Sequence, residues 1–196
     1  MQGYLSFKFF LERYYLIALI NYMMKNKVLY ICGFMGCGKT TEGKRIAEEI
    51  GFDFIDLDDY IVNKYNQSIV NLFKDVGEEE FRNIETNALK ECTQNHSKIL
   101  IATGGGTPCF NNNLEFMKSN GLLIYLKLKE QELLIRLSQA KINRPLIKDK
   151  NNEEMLLYIE HLLKIREVFY NQADIIVDAN HIDITLLKDE IRKQLR

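Results

Sequence analysis

The chain of 196 residues has the length of one domain with a full hydrophobic core. Its 26 basic and 27 acidic side chains give a formal net charge of −1, so no overall field favours a nucleic acid or an anionic membrane as a partner. The four cysteines show neither a C-x-x-C pair nor metal-ligand spacing, which indicates reduced thiols in a cytoplasmic protein. A chain of this size with its own core is expected to be a monomer.

Residues 1–22 differ in composition from the rest of the chain, because they hold seven of the 21 aromatic residues. Their apolar part, 14–22, is far shorter than the ~20 residues that a membrane span needs, and no small-residue cleavage site follows it. Two interpretations stay open: an upstream start choice, with Met23 or Met24 as the true start, or an amphipathic helix that packs on a partner or membrane surface. We expect 1–23 to be an extension outside the fold and 24–196 to be a single domain.

Beyond residue 27, apolar runs typical of buried strands alternate with helical segments. The predicted strands are 28–32, 52–55, 99–102, 122–128 and 175–177. The predicted helices are 41–50, 59–64, 68–75, a segment beginning at Glu78, 130–140, 153–171 and 182–195. This alternation predicts an α/β sandwich with a five-stranded parallel sheet, whose ligands bind beyond the carboxyl ends of the strands.

A glycine-rich motif follows the first predicted strand. Residues 33–41 read GFMGCGKTT, which fits the phosphate-loop pattern G-x-x-x-x-G-K-[ST]. In such a loop backbone N–H groups turn onto phosphate oxygens, Lys39 reaches the β- and γ-phosphates, and the Thr40 hydroxyl can bind Mg²⁺. The motif therefore predicts that the chain binds a nucleoside triphosphate, through Gly36, Cys37, Gly38, Lys39, Thr40 and Thr41.

Two carboxylates, Asp56 and Asp58, follow the second predicted strand. If they alternate about the strand end, their side chains point to opposite sides of the chain. One could then hold Mg²⁺ through water while the other meets a substrate hydroxyl. The alternative is a solvated acidic turn that caps the next helix.

A basic and acidic pair precedes a run of glycines. Arg82 and Glu85 lie three residues apart, so they share a helix face, and a surface salt bridge is their ordinary interpretation. Their place before the buried strand that ends in Gly104, Gly105 and Gly106 favours a role at a site. Three glycines at a strand end let a ligand approach the backbone, although a plain turn is the alternative.

Two further arginines stand out. Arg144, beside Pro145, lies in a polar segment between helices, where a lid could close it over a transferring phosphoryl group; an ordinary loop arginine is an equal alternative. Arg166 falls on the apolar stripe of its predicted helix, where a charge needs a partner such as an anionic ligand.

With these motifs, the chain resembles the shikimate kinase family from residue 27 to the C-terminus. The matching stretches, in the family's order, are 33–41, FIDLDDYI at 54–61, FRNIE at 81–85, TGGG at 103–106, RPL at 144–146 and REVFY at 166–170. The resemblance implies a nucleoside monophosphate kinase-like fold, with a substrate-binding region at about 57–93 and a mobile lid at about 140–152. It also implies that ATP phosphorylates the 3-hydroxyl of shikimate, in the pathway to chorismate and the aromatic amino acids.

The resemblance also implies residue roles. Shikimate would contact Asp58, Arg82, Glu85, Gly104, Gly105, Gly106 and Arg166, with the arginines on its carboxylate and Glu85 orienting Arg82. Thr40 would bind Mg²⁺ and Asp56 would do so through water. Lys39 and Arg144 would stabilise the moving phosphoryl group, and Asp58 would accept the hydroxyl proton. Arg136 and Asn180 are assigned to the adenine side of the ATP site. The alternative is that they are an ordinary surface arginine and a loop asparagine.

Two alternatives remain. A gluconate kinase or a nucleoside monophosphate kinase would share the fold, but the Asp-x-Asp, Phe-Arg-x-x-Glu and triple-glycine motifs favour shikimate. A nucleotide-binding module without turnover would not need Lys39, Thr40, Asp56 and Arg144 together. The expected partners are therefore the small molecules ATP and shikimate.

Overall fold

The apolar runs of the chain form one parallel sheet. The structure is a computed structural model that describes residues 28–139 and 150–195. The strands are β1 (Val28–Cys32), β2 (Asp53–Asp56), β3 (Ile99–Ala102), β4 (Gly121–Lys127) and β5 (Ile175–Asp178). They are hydrogen-bonded in the order β2-β3-β1-β4-β5, and every pairing is parallel. The predicted α/β fold with a five-stranded parallel sheet is confirmed.

Helices connect consecutive strands. They are α1 (Lys39–Ile50), α2 (Leu57–Tyr65), α3 (Ile69–Asn95), α4 (Asn113–Asn120), α5 (Glu130–Gln139), α6 (Asn152–Tyr170) and α7 (Ile184–Gln194), with a 3₁₀ turn at Thr107–Cys109. Every residue of β1 and β3 is buried, which explains their uninterrupted apolar sequences. The outer strands β2 and β5 are partly exposed. No helix in 28–139 or 150–195 has the length and apolar character that crossing a bilayer requires.

The predicted break between 68–75 and the segment from Glu78 is confirmed, because α3 consists of two helical segments that meet at a kink at Gly77, whose φ of 79° is non-helical. The structure differs from the sequence predictions at the start of α2 and after β3. The helix α2 begins at Leu57 because the Asp56 side chain accepts the Asp58 N–H at 3.0 Å and caps it. The 3₁₀ turn and α4 were not predicted.

The order of the strands fixes where a ligand can bind. Strand β1 lies between β3 and β4, so the connections that leave β1 and β3 run to opposite sides and open a crevice at the carboxyl edge. The N–H of Thr103, just past β3, donates to the carbonyl of Ile31 at 3.0 Å, which holds these two strand ends together. The predicted extension at 1–23 and residues 140–149 of the predicted lid lie outside the described residues.

The packing of α1 on the sheet depends on a glycine. A Cβ at Gly43 would lie 2.6 Å from Cε2 of Phe54 and 3.4 Å from Cδ2 of Leu100. We expect Gly43→Val to lower the free energy of unfolding by about 2 kcal/mol, since overpacking forces the helix off the strands. Urea denaturation measures this loss, with Glu48→Val as the control because Glu48 is exposed on the same helix. An equal loss in both variants would contradict the close approach.

Candidate active site at the carboxyl edge of the sheet

The phosphate loop joins β1 to α1. Gly36 and Gly38 have φ values of 84° and 100°, which residues with a side chain rarely adopt. The Lys39 ammonium folds back over the loop and donates to the carbonyls of Gly33 at 2.9 Å and Phe34 at 3.0 Å. The residue before α1 is Gly38, and no side chain of the described residues caps the helix, so its first N–H groups can bind an anion. Backbone donors, a helix dipole and a lysine therefore converge on one place.

A hydrogen bond ties this loop to β2. The Thr40 hydroxyl donates to Oδ2 of Asp56 at 2.6 Å, while Oδ1 of Asp56 caps α2. The structure thus brings together the two residues predicted to hold Mg²⁺. Asp56 and Asp58 were predicted to alternate about the strand end; β2 ends at Asp56 and Asp58 already belongs to α2, so strand alternation does not set the directions of their side chains.

Asp58 lies in the same cleft. Its side chain reaches solvent, yet surrounding protein atoms disfavour its charged form, and the carboxylates of Asp56 and Glu85 add to this effect. Together they raise the pKa of Asp58 to about 6, against the opposing influence of Lys39. The carboxyl group is therefore a stronger base than an ordinary aspartate.

Arg82 is held from several sides on α3. Its NH1 donates to Glu85 at 2.9 Å and its NH2 to the exposed Glu78 at 3.4 Å. Its guanidinium carbon lies 4.3 Å from the centroid of the Phe110 ring, close enough for a cation–π contact. The buried Nε has no hydrogen-bond partner among the described residues. Arg82 is thus held in place while its buried Nε–H stays without a partner among the described residues.

The glycines after β3 lie against these charged groups. A Cβ at Gly104 would come within 2.5 Å of Oε1 of Glu85, and one at Gly106 within 2.9 Å of NH1 of Arg82. A Cβ at Gly105 would lie 3.1 Å from NH1 of Arg166. Larger residues would displace the two arginines, so the glycines are needed for this approach.

Arg166 approaches from α6. Its guanidinium carbon lies 5.7 Å from the centroid of the Phe34 ring, and no carboxylate in the described part of the chain forms an ion pair with it. One turn later the hydroxyl of Tyr170 donates to the carbonyl of Gly105. This bond fixes α6 to the glycine loop, which is residues 104–106 after β3. Arg166 therefore adds a positive charge at Gly105, next to the glycine that Arg82 approaches.

Arg136 and Asn180 lie together beside the phosphate loop. Arg136 donates to the Cys37 carbonyl at 3.2 Å, to the Ala179 carbonyl at 3.1 Å and to Oδ1 of Asn180 at 3.0 Å. The predicted pair is thus adjacent to the loop. Arg144 lies outside the described residues.

Three residues of this cluster were not predicted from the sequence as site residues. They are Thr107, Phe110 and Tyr170, which contact Glu85, Arg82 and the Gly105 carbonyl. Tyr170 ends the REVFY motif and could have been found there. Thr107 and Phe110 carry no local signal, because their partners on α3 are more than twenty residues away in the chain.

A family model for shikimate kinase matches residues 35–196. The chain belongs to the shikimate kinase family. The shikimate kinase of Azobacteroides pseudotrichonymphae is 47% identical over 148 residues, which are 76% of this chain and 87% of the relative. That of Parabacteroides distasonis is 44% identical, with 78% and 88% covered. Family membership makes the protein an ATP-dependent kinase that acts on a small molecule.

Solved structures give the same result. The shikimate kinase of Bacteroides thetaiotaomicron superposes with a TM-score of 0.79 at 35% identity, covering 86% of this chain and 98% of that one. The Acinetobacter baumannii enzyme in complex with shikimate gives 0.73 at 34% identity, with 89% and 96% covered. A gluconokinase from Sinorhizobium meliloti, covered to 92% by 88% of this chain, gives 0.55 at 14% identity and so shares the fold alone.

The raised pKa of Asp58 predicts a conflict between activity and stability. The folded protein holds this proton more tightly than the unfolded chain, so stability is lost as the pH rises from the ordinary aspartate pKa of about 3.9 through about 6. We expect Asp58→Asn to melt at a higher temperature than the wild type at about pH 7.5, and this gap to shrink at about pH 4.5. Calorimetry at both pH values checks this. A lower melting temperature at about pH 7.5 would contradict the assignment.

Proposed function

We propose that the protein transfers the γ-phosphoryl group of ATP to the 3-hydroxyl of shikimate, giving shikimate 3-phosphate and ADP. The observation that carries this proposal is the meeting, at one edge of the sheet, of a phosphate loop with Asp58, Arg82, Arg166 and the triple glycine. The phosphate loop binds a nucleoside triphosphate, and the cluster of Asp58, the two arginines and the glycines suits a small acid that also carries a hydroxyl. This places the protein in chorismate and aromatic amino acid biosynthesis.

ATP would lie with its phosphates in the loop, where Lys39 neutralises charge on the β- and γ-phosphates. Thr40 and Asp56 offer adjacent oxygens, which suit Mg²⁺. No group of three or more acidic, histidine or cysteine side chains within the described residues could hold a metal. This fits Mg²⁺, which binds to one or two protein oxygens, substrate phosphates and water. When bound, Mg²⁺ would offset the negative charge of the phosphates.

Shikimate would be oriented by its carboxylate. Arg82 has an unpaired buried N–H and Arg166 has no acidic partner in the described part of the chain, so an anion between them would satisfy both. Gly105 lies next to Arg166 and lets the ring approach the backbone. Glu85 contributes by orienting Arg82. The remaining ring hydroxyls are then presented towards Asp58.

Asp58 would position the acceptor hydroxyl and take its proton. A carboxyl group with a pKa of about 6 is ionised in most molecules near neutral pH. In a loose transition state the proton leaves late, so a strong base is not required. Lys39 and, from its motif, Arg144 would stabilise the charge on the phosphoryl group in transit.

We propose that the protein is a monomer in the cytoplasm and that its partners are small molecules rather than nucleic acids or membranes. All four cysteines are free, which fits a reducing compartment. A second candidate, gluconate kinase, shares the fold at 14% identity. It would need a place for a linear hydroxy acid, whereas the motifs around Asp58, Arg82 and the glycines match the shikimate family.

The test is coupled ADP release by the full chain and by residues 24–196 with Mg-ATP. The acceptors are shikimate, gluconate, a panel of nucleoside monophosphates and none. We expect release with shikimate alone, at equal rates for the two chains. Lys39→Ala is the control for contaminating kinases and should be at least ~100-fold slower, because one preorganised cation is lost. Release with gluconate, with a nucleotide or without an acceptor would overturn the proposal.

A further inference from the structure

We infer that Thr107 is a positioning residue for the acceptor, which fixes Arg82 through the buried carboxylate of Glu85. This inference rests on the proposed function, since it concerns how tightly the shikimate carboxylate is held. Thr107 lies in the 3₁₀ turn after the glycines and is fully buried. Its effect comes through a chain of three hydrogen-bonded side chains.

Both oxygens of Glu85 are used in this chain. Oε1 accepts the Thr107 hydroxyl at 2.6 Å, and Oε2 accepts NH1 of Arg82 at 2.9 Å. Glu85 is only 2% exposed, so water cannot replace a lost donor without a rearrangement. A buried carboxylate that loses one of its two donors moves towards the donors that remain, and this movement loosens its hold on Arg82.

Thr107 is itself held rigidly. It is fully buried, its N–H donates to the Gly104 carbonyl at 3.1 Å, and its carbonyl accepts Nδ2 of Asn113 at 2.9 Å. Asn113 is also fully buried, at the start of α4. The hydroxyl of Thr107 thus belongs to the glycine loop, while Glu85 and Arg82 belong to α3. This hydrogen bond links the two parts of the acceptor site at Glu85 itself, beside the contact of the Phe110 ring with Arg82.

Arg82 also has an alternative position available. Its NH2 already reaches Glu78 at 3.4 Å, and Glu78 is well exposed. When Glu85 is no longer held by Thr107, Arg82 has a second carboxylate on the solvent side. Removal of the hydroxyl therefore shifts Arg82 away from the glycines and weakens its hold on an acceptor carboxylate.

The test uses Thr107→Val, which keeps the shape and removes the hydroxyl, and Thr107→Ala in case the valine variant does not fold. We expect the KM and Kd for shikimate to rise about tenfold, because a hydrogen bond to a charged group is lost. The KM for ATP should not change, and kcat should stay within about threefold, since Lys39 and Asp58 are untouched. Thr107→Ser keeps the hydroxyl and should restore the wild-type KM.

Thr93→Val is the matched control. Thr93 is also buried, and within 28–139 and 150–195 its hydroxyl bonds to the Leu89 carbonyl and the Tyr30 hydroxyl and to no group of the acceptor site. It should lower the melting temperature without changing the KM for shikimate. A shikimate KM that is unchanged in Thr107→Val or Thr107→Ala, or that rises equally in Thr93→Val, would overturn the inference while wild-type turnover upholds the function. A wild type without shikimate turnover would overturn both.

Discussion

The parallel pairing of β1 with β3, and of β3 with β2, is the constraint on which the site depends. Parallel strands deliver their carboxyl ends to one edge, so the phosphate loop, Asp56 and the glycine loop meet although they are far apart in the chain. Two hydrogen bonds lock this meeting, Thr40 to Asp56 and the Thr103 N–H to the Ile31 carbonyl. The buried strands β1 and β3 supply the rigid base from which these loops project.

On this base the site holds its positive charges in two separate places. Lys39 lies on the side of the phosphate loop, and Arg82 and Arg166 lie on the side of the glycines. The acids between them have different roles: Asp56 is engaged by hydrogen bonds, whereas Asp58 is left in surroundings that disfavour its charge. An active site that concentrates groups in this way loses stability, and phosphoryl transfer needs such preorganised charge.

Much of this arrangement could be predicted because its signals are local. The five strands are short apolar runs, and the phosphate loop is a contiguous motif with a strand before it and a helix after it. The helix α4 was not predicted. It follows a polar turn in which Asn111 and Asn112 have φ values of 50° and 58°, and the sequence of this turn carries no strong signal for the start of a helix. The helix break at Gly77 was predicted, but the continuation of α3 beyond it depends on tertiary packing.

Other features could not be found from the sequence, because they arise only when distant segments meet. The hydroxyl of Thr107 matters because it approaches Glu85, and the ring of Phe110 because it covers Arg82. The contact of Arg136 with the Cys37 carbonyl spans 99 residues. Asp56 was ambiguous between a metal ligand and a helix cap, and its two oxygens allow both, since one faces Thr40 and the other caps α2.

The carboxyl edge of the sheet is proposed to direct one phosphoryl group to one hydroxyl of shikimate. The most direct measurement is ³¹P NMR of the reaction of the full chain with Mg-ATP and shikimate. We expect a single new phosphomonoester signal, coupled to the proton on the ring carbon that bears the 3-hydroxyl, in an amount equal to the ADP formed. A phosphoester at another hydroxyl, or ADP with inorganic phosphate alone, would contradict it.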